Sequence, residues 1–192
     1  MQTSRYIFVF VGPNGAGRKT VAEMAGSTLG IKQVLSYTTR KPRPGEADGQ
    51  HYHFVSREAF EKAEQNGEFI ETMEYEGNLY GVKREDIEQA LKSRRAIYLV
   101  LSRHGGDVLK RTYGDRVVRI FIYVDLQILI DRHRKRGDSE EDIQHYIAHY
   151  DEEMAYKAEC EHAFENIDLA HTVFDISKTL DSYLDRNLLE LD

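Results

Sequence analysis

Apolar runs rich in Val, Ile, Leu and Tyr recur at Tyr6 to Val11, Ala96 to Leu101 and Val117 to Val124, each followed by a polar stretch with helical spacing. Strands separated by helices need crossover connections, so the pattern predicts a mostly parallel sheet in an α/β domain. After the first run, Thr20 to Leu29 reads as a helix with Val21, Met24, Ala25 and Leu29 on one side, and Val34 to Tyr37 as a short second strand. Tyr52 to Val55, Phe69 to Tyr75 and Leu79 to Val82 are short strands, the last two joined by Glu76, Gly77 and Asn78 in a hairpin-like turn. They predict a small sheet inserted in the parallel fold. Further helices are expected at Arg57 to Gln65, Arg84 to Ser93, Leu126 to Lys135, Glu140 to Tyr156 and Thr172 to Leu189. Ser139 with Asp142 three residues on gives one of them a capping-box start. The chain shows no internal repeat, low-complexity stretch or linker, which leaves one α/β domain carrying two insertions.

Composition narrows the class. A chain of 192 residues, 41% hydrophobic and 31% charged, can bury a core as a single domain. No apolar run exceeds that of Tyr6 to Val11, which stops at a glycine, far short of the roughly 20 residues a bilayer span requires. No secretory signal is visible in Met1 to Arg5, so the expected home is the cytoplasm. The lone Cys160 makes no internal disulfide and no CxxC pair exists, in keeping with a reducing compartment. With 33 acidic against 26 basic residues the net charge is -7, which argues against nucleic-acid binding through unspecific phosphate attraction. Positive charge must be sought locally.

The first local concentration comes directly after the first strand. Gly12, Pro13, Asn14, Gly15, Ala16, Gly17, Arg18, Lys19 and Thr20 lie between a strand and a helix, the context of a P-loop. Glycines let successive backbone amides turn inward, and the following helix adds unpaired amides and a positive dipole end, so phosphate is bound in place of water. Gly12 and Gly17 match GxxxxG, but the next residue is Arg18 where lysine is expected, and the lysine stands at position 19. Either Arg18 or Lys19 supplies the charge and the loop binds ATP, or the loop keeps its shape while catalysis is weakened, since arginine is longer and planar. Thr20 offers a hydroxyl to a nucleotide-bound magnesium ion.

The second concentration is the Pro- and Gly-rich segment after Thr38, where Arg40 and Arg43 stand three residues apart in a proline-stiffened loop. Guanidinium forks bind phosphate oxygens bidentately, and Ser36 and Tyr52 add hydroxyl donors. From Ser36 to Phe54 the chain reads SYTTRKPRPGEADGQHYHF, which resembles the STTRxPRxGExxGxxYxF signature of the guanylate kinase family. The likeness continues through Gly67 to Glu71 and Gly77 to Gly81, reappears at Arg132 to Gly137 and Glu153, and is fainter at Asn166 to Leu169. It implies a P-loop NTPase three-layer fold with a parallel core sheet, an inserted small mixed β NMP-binding subdomain and a helical lid. The core would be residues 1–37, 84–131 and 157–192, the insertion 38–83 and the lid 132–156, all in a single domain.

The resemblance further implies that Ser36, Arg40, Arg43, Tyr52 and Tyr80 hold the phosphate of GMP and that Glu71 reads its base. The chemistry of Glu71 stands independently: guanine presents two neighbouring donors that an ionised carboxylate accepts together, whereas adenine presents an acceptor there. In the basic run Arg132 to Arg136, the resemblance gives Arg132 and Arg136 the lid role of neutralising the transferring phosphoryl group, while Arg134 and Lys135 read as solvated. The implied reaction is ATP + GMP (or dGMP) to ADP + GDP (or dGDP), with magnesium bridging phosphates. The implied partners are ATP and GMP, with no nucleic acid or membrane, and any protein partner is left open.

Four departures cluster at the chemistry. Besides Arg18, Val82 stands where the family has Ser or Thr after the Tyr-Gly pair. After the Ala96 to Leu101 run, Val100 and Ser102 replace the acids of an acidic-x-Asp-x-Gln-Gly motif. Tyr146 replaces an arginine after the lid. They support an alternative, a catalytically weakened guanylate-kinase-like module for GMP or a protein partner, and Val82 also raises a kinase for another monophosphate. His145 and His149, four apart with Glu152 and Glu153 nearby, lack a third ligand with metal spacing and read as exposed histidines. His51 and His53 flank Tyr52 and are expected to orient or screen the loop.

Overall fold

The computed structural model describes residues 5–184. Strand β1 (Tyr6–Val11) shows why the longest apolar run has no polar alternation. Phe8 and Phe10 pack on one face of the sheet against Val21, Ala22, Ala25, Ile176 and Leu180, while Ile7, Val9 and Val11 pack on the other against Ile87, Leu91 and Leu109. Both faces are covered, so every position is apolar. Each fully buried side chain of this size stabilises the fold by about 1.5–3 kcal/mol.

The core sheet is parallel throughout, in the order β2 (Lys32–Gln33), β7 (Ala96–Val100), β1, β8 (Val117–Tyr123), β9 (His162–Glu165). Helices α1 (Arg18–Leu29) and α7 (Leu169–Tyr183) cover one face, and α3 (Arg84–Ser93) and α4 (Arg103–Tyr113) the other, giving the expected three layers. From β1 the sheet grows in both directions, so the chain leaving its carboxyl end opens a crevice there.

The inserted sheet is mixed, in the order β4 (His53–Phe54), β3 (Tyr37–Thr38), β6 (Asn78–Lys83), β5 (Phe69–Tyr75), with α2 (Arg57–Gln65) between β4 and β5. Pairing shifts between Phe69 and Glu71, placing a bulge beside Glu71; bulges re-aim neighbouring side chains. The basic run lies in α5 (Leu126–Arg136), followed by α6 (Glu140–Ala155), whose first turn is capped by Ser139 accepting from the Asp142 amide at 3.1 Å.

The expected strand Val34 to Tyr37 is two strands in different sheets. Val34 still donates its amide to the Tyr98 carbonyl at 3.0 Å, but Tyr37 already pairs with Gly81 of the inserted sheet, so Ser36 lies at the passage between the two sheets. The expectation named neither α4 nor β9: α4 opens on Arg-His-Gly-Gly, and β9 is a four-residue edge strand with two polar positions. The last expected helix starts earlier, at Leu169, and its expected end beyond 184 lies outside the described residues. The lid boundary expected at 132 falls inside α5.

Candidate active site

The loop after β1 is tightly enclosed. Gly12 has φ 137° and a Cβ there would come within 2.0 Å of the Ile122 carbonyl oxygen, while Gly17 has φ 90° and a Cβ would come within 2.5 Å of Asn166 Nδ2. Only glycine passes at both positions. Gly17 is also the residue before α1 and supplies no side-chain cap, which leaves first-turn amides for an anion.

The outside of the loop is held by α5 and by the segment after β9. Asn166, buried, donates Nδ2 to the Ala16 carbonyl at 2.9 Å. Arg132 donates Nη1 to the same carbonyl at 3.3 Å and Nη2 to the Asn166 carbonyl at 2.6 Å. His133, with its side chain fully buried, places Nε2 3.0 Å from the Asn14 carbonyl and Nδ1 2.7 Å from Asp138 Oδ2. A carbonyl only accepts, so Nε2 carries a proton. Arg136 pairs with Asp138 at 2.5 Å and, with His133, holds that carboxyl down at about 2.

Consecutive helical residues project about 100° apart, so Arg18 and Lys19 cannot share a direction. Arg18 crosses to the end of β7 and donates Nη1 to the Leu101 carbonyl at 3.0 Å; burial lowers its pKa, opposed by the fields of Tyr52 and Glu153. It remains charged. Lys19 turns to the inserted sheet and rests 4.1 Å above the centre of the Tyr52 ring.

The inserted sheet contributes the opposite wall. Arg40 and Glu46 form a two-pronged pair at 2.8 and 3.0 Å, and Glu46 also accepts from the Arg43 amide at 2.8 Å. These contacts, Arg40 first, hold the Glu46 carboxyl at about 2. Tyr52 packs against Tyr80 with ring centres 6.1 Å apart, and Arg40 lies 5.4 Å from the Tyr52 ring. His51 accepts from the Ala47 amide at 3.1 Å inside the arginine loop, and His53 lies tilted against Tyr37 with ring centres 4.5 Å apart where the flanking strands pair.

Glu71 differs from every acid around it. It is 8% exposed, its Oε2 has no hydrogen-bond partner, and burial alone pushes its carboxyl up to about 7. Gly105 in the first turn of α4 closes on it, and a Cβ there would come 3.3 Å from Glu71 Cδ.

All these groups meet in one cleft of about 770 Å³, lined by Gly12 to Gly15, Gly17 to Thr20, Ser36, Arg40, Arg43, Glu46, Tyr52, Glu71, Tyr80, Arg132 and Arg136. Every site residue expected from the sequence lines it except Ala16, which is buried behind the loop. Val82 is fully buried in the apolar core. Val100 lines the cleft without an acid, and Ser102 spends its hydroxyl capping α4, accepting from the Gly105 amide at 3.3 Å. Tyr146 stacks on His133 at 4.2 Å and 17°. His145 and His149 lie 4.6 Å apart at the cleft, and among the described residues no three His, Cys, Asp or Glu converge on a metal position. Sequence reasoning missed the roles of His133, Asn166 and Glu46. His133 sat inside a run read for its arginines, and only the faint likeness at Asn166 pointed to that residue.

No helix among the described residues is long and apolar enough to cross a membrane. A sequence model of the guanylate kinase family matches residues 4–183. The guanylate kinase of Paraburkholderia xenovorans is 38% identical over 169 residues, covering 85% of this chain and 75% of that protein. That of Fusobacterium nucleatum is 30% identical over 177 residues, covering 92% and 96%. The crystal structure of guanylate kinase from Anaplasma phagocytophilum superposes with a TM-score of 0.71 at 28% identity, covering 97% of this chain and 89% of that one. A loop shaped for phosphate, facing an arginine pair and a buried acid in one cleft, thus agrees with the sequence match over nearly the whole chain: the chain belongs to the guanylate kinase family of nucleoside monophosphate kinases.

Proposed function

We propose that the chain transfers the terminal phosphoryl group of ATP to GMP or dGMP, giving ADP and GDP or dGDP, by direct transfer between nucleotides bound in the one cleft. The observation that carries this is Glu71, a buried carboxylate without a partner in the cleft that also holds Arg40 and Arg43. An unpartnered buried acceptor costs free energy until a ligand supplies donors, and guanine offers two in the right orientation. Adenine would place an acceptor against it.

In this reading Arg40, Arg43, Tyr52, Tyr80 and Ser36 bind the acceptor phosphate, and the amides of the loop from Gly12 to Thr20 bind the donor. Arg18, anchored on Leu101, and Arg132 and Arg136 from the 132–156 lid add positive charge where the phosphoryl group passes. The transfer needs positioning and neutralisation more than a base. Magnesium fits the residues present in one way: Thr20 brings a hydroxyl oxygen to the cleft, a donor suited to a hard cation, while Val100 and Ser102 bring no carboxylate. Thr20 would hold it, mostly through the nucleotide, and the ion would supply charge neutralisation on the phosphates. The cytoplasm, where both nucleotides are available, is the proposed compartment.

A coupled assay with GMP, dGMP, AMP, UMP and CMP tests the reading. Turnover of GMP and dGMP with little of the other three is expected. Equal turnover of AMP, or no GMP binding in calorimetry, refutes it.

A further inference from the structure

The cleft holds a surplus of positive charge on its acceptor side, and part of it comes from the donor loop. Lys19 leaves α1 beside Arg18, yet its ammonium lies 4.1 Å over Tyr52, the ring that Arg40 approaches to 5.4 Å. Lys19 is close enough to be one of the charges holding Glu46 down. Among the described residues no carboxylate forms an ion pair with Lys19 or with the Arg43 guanidinium, and Glu46 is the acid that Arg40 and the Arg43 amide already engage. An exposed ammonium on an aromatic face is held only weakly, while the like charges of Lys19, Arg40 and Arg43 on one cleft wall repel one another. The arrangement is relieved when a dianion enters between the three.

Arg18 is anchored elsewhere, its Nη1 on the Leu101 carbonyl at the end of β7, and it keeps its charge for the donor side. The two basic residues of the loop therefore divide. We propose that Lys19 is a ligand of the acceptor's monophosphate group, reaching it from the donor loop, and not a ligand of the outer phosphates of ATP. The assignment rests on the GMP and ATP reading of the cleft and names a specific cation for its acceptor half. It also makes a physical link: the residue after Arg18 on a rigid helix touches the acceptor, so a shift of the loop on the donor side is felt at the acceptor phosphate.

The test is calorimetric titration of the full chain, and of Lys19→Met and Lys19→Arg, with GMP and with ATP separately, followed by steady-state kinetics. Lys19 is exposed and caps nothing, so neither variant should melt below the wild type, and Lys19→Met, which relieves like-charge repulsion, should melt at the same temperature or slightly above it. Lys19→Met should weaken GMP about tenfold or more, the loss expected of one charge-assisted hydrogen bond, and change ATP less than threefold. Lys19→Arg should recover most of the GMP affinity, and the KM for GMP should rise in Lys19→Met more than the KM for ATP. An ATP affinity that falls as much as that for GMP, or a GMP affinity that does not change, overturns the assignment. If the wild-type chain does not bind GMP, the reading of the cleft falls with it; if it does and only the Met variant is indifferent, the lysine assignment alone falls.

Discussion

Replacing Glu71 by Gln keeps the size of the side chain and removes its titration, and the burial of that position sets the size of the effect. The folded carboxyl sits at about 7 against a reference of 4.5 for a free glutamate. Because the folded value is raised, the unfolded chain loses its proton first as pH climbs, and stability falls from about pH 4.5 until the folded group ionises near pH 7. Each tenfold difference in proton affinity is worth about 1.4 kcal/mol, so the full penalty above pH 7 is about 3 kcal/mol, of which about 1 kcal/mol is already present at pH 5. With the side chain 8% exposed, little of this is screened away. The buried amide of Glu71→Gln has its own cost, but that cost does not vary with pH and cancels when one variant is followed across a series. In a chain of this size 1 kcal/mol moves the melting temperature by about 2–4 °C. The ligand-free Gln variant should therefore gain on the wild type by about 5–10 °C between pH 5 and pH 8, read by scanning calorimetry, while losing most of its affinity for GMP. A gap between the two proteins that stays constant over that range would show that Glu71 is not an isolated buried acid.

The remaining expectations touch other parts of the molecule. Binding of GMP to the ionised form should release a proton from Glu71 near pH 6.5, seen as a buffer-dependent calorimetric enthalpy that shrinks in Glu71→Gln. Buried Arg119 joins Asp107, Tyr156 and Glu161. Arg119→Met should cost about 1–3 kcal/mol in denaturant unfolding at pH 7, because it removes the bonds to Tyr156, Asp107 and Glu161 while Lys110 stays on Glu161 and Asp107 remains part-exposed. Burial raises the Glu161 carboxyl, but the bonds from Arg119 outweigh burial and bring it down to about 2. Its contribution is thus present above about pH 4.5 and fades as pH falls towards 2, so the wild type should approach the variant in acid. His133→Leu removes the donor to the Asn14 carbonyl and the partner of Asp138. It should lower kcat/KM for ATP about tenfold with the Kd for GMP changed less than twofold, and an effect confined to GMP would refute the bracing role given to His133.

The parts of the fold legible in the sequence are those in which one local pattern decides the outcome. β1 is apolar at every position because both faces are buried, and Gly12 and Gly17 are fixed by approaches that exclude a Cβ. The arginine loop was legible because Pro, Gly and Arg at set intervals do not suit a core element. What escaped depends on long-range pairing. β9 is a strand only because β8 offers it an edge, from Ile120 opposite His162 to Tyr123 opposite Glu165. His133 lies within a basic run, and no spacing rule reveals that its ring is buried between Asn14 and Tyr146 while its neighbours Arg134 and Lys135 stay exposed. Lys19 and Arg18 were indistinguishable in sequence; only the helix direction separates them. The state of Glu71 was also hidden, since its raised carboxyl comes from burial by α4 and the core, none of it adjacent in the chain.

Set against the pattern the resemblance implies, these residues offset one another in part. The end of β7 carries Val100 and Ser102 where the resemblance implies acids, and Arg18 meets a carbonyl there. A carbonyl satisfies one N–H without neutralising the cation, so the field of Arg18 remains directed at the cleft. Tyr146 removes a cation from α6, but its ring covers His133, which grips the loop that carries Arg18 and Lys19. Relative to the pattern the resemblance implies, α6 has one cation fewer while the first turn of α1 carries both Arg18 and Lys19. A cation on a helix packed against the core sheet is held in place before the substrates arrive, and preorganised charge acts without the cost of reorienting it during the reaction. In the proposed transfer, the departures that looked like losses at the chemistry are then offset in part, with Arg18 carrying on a fixed element some of the charge that the resemblance assigns to a closing one.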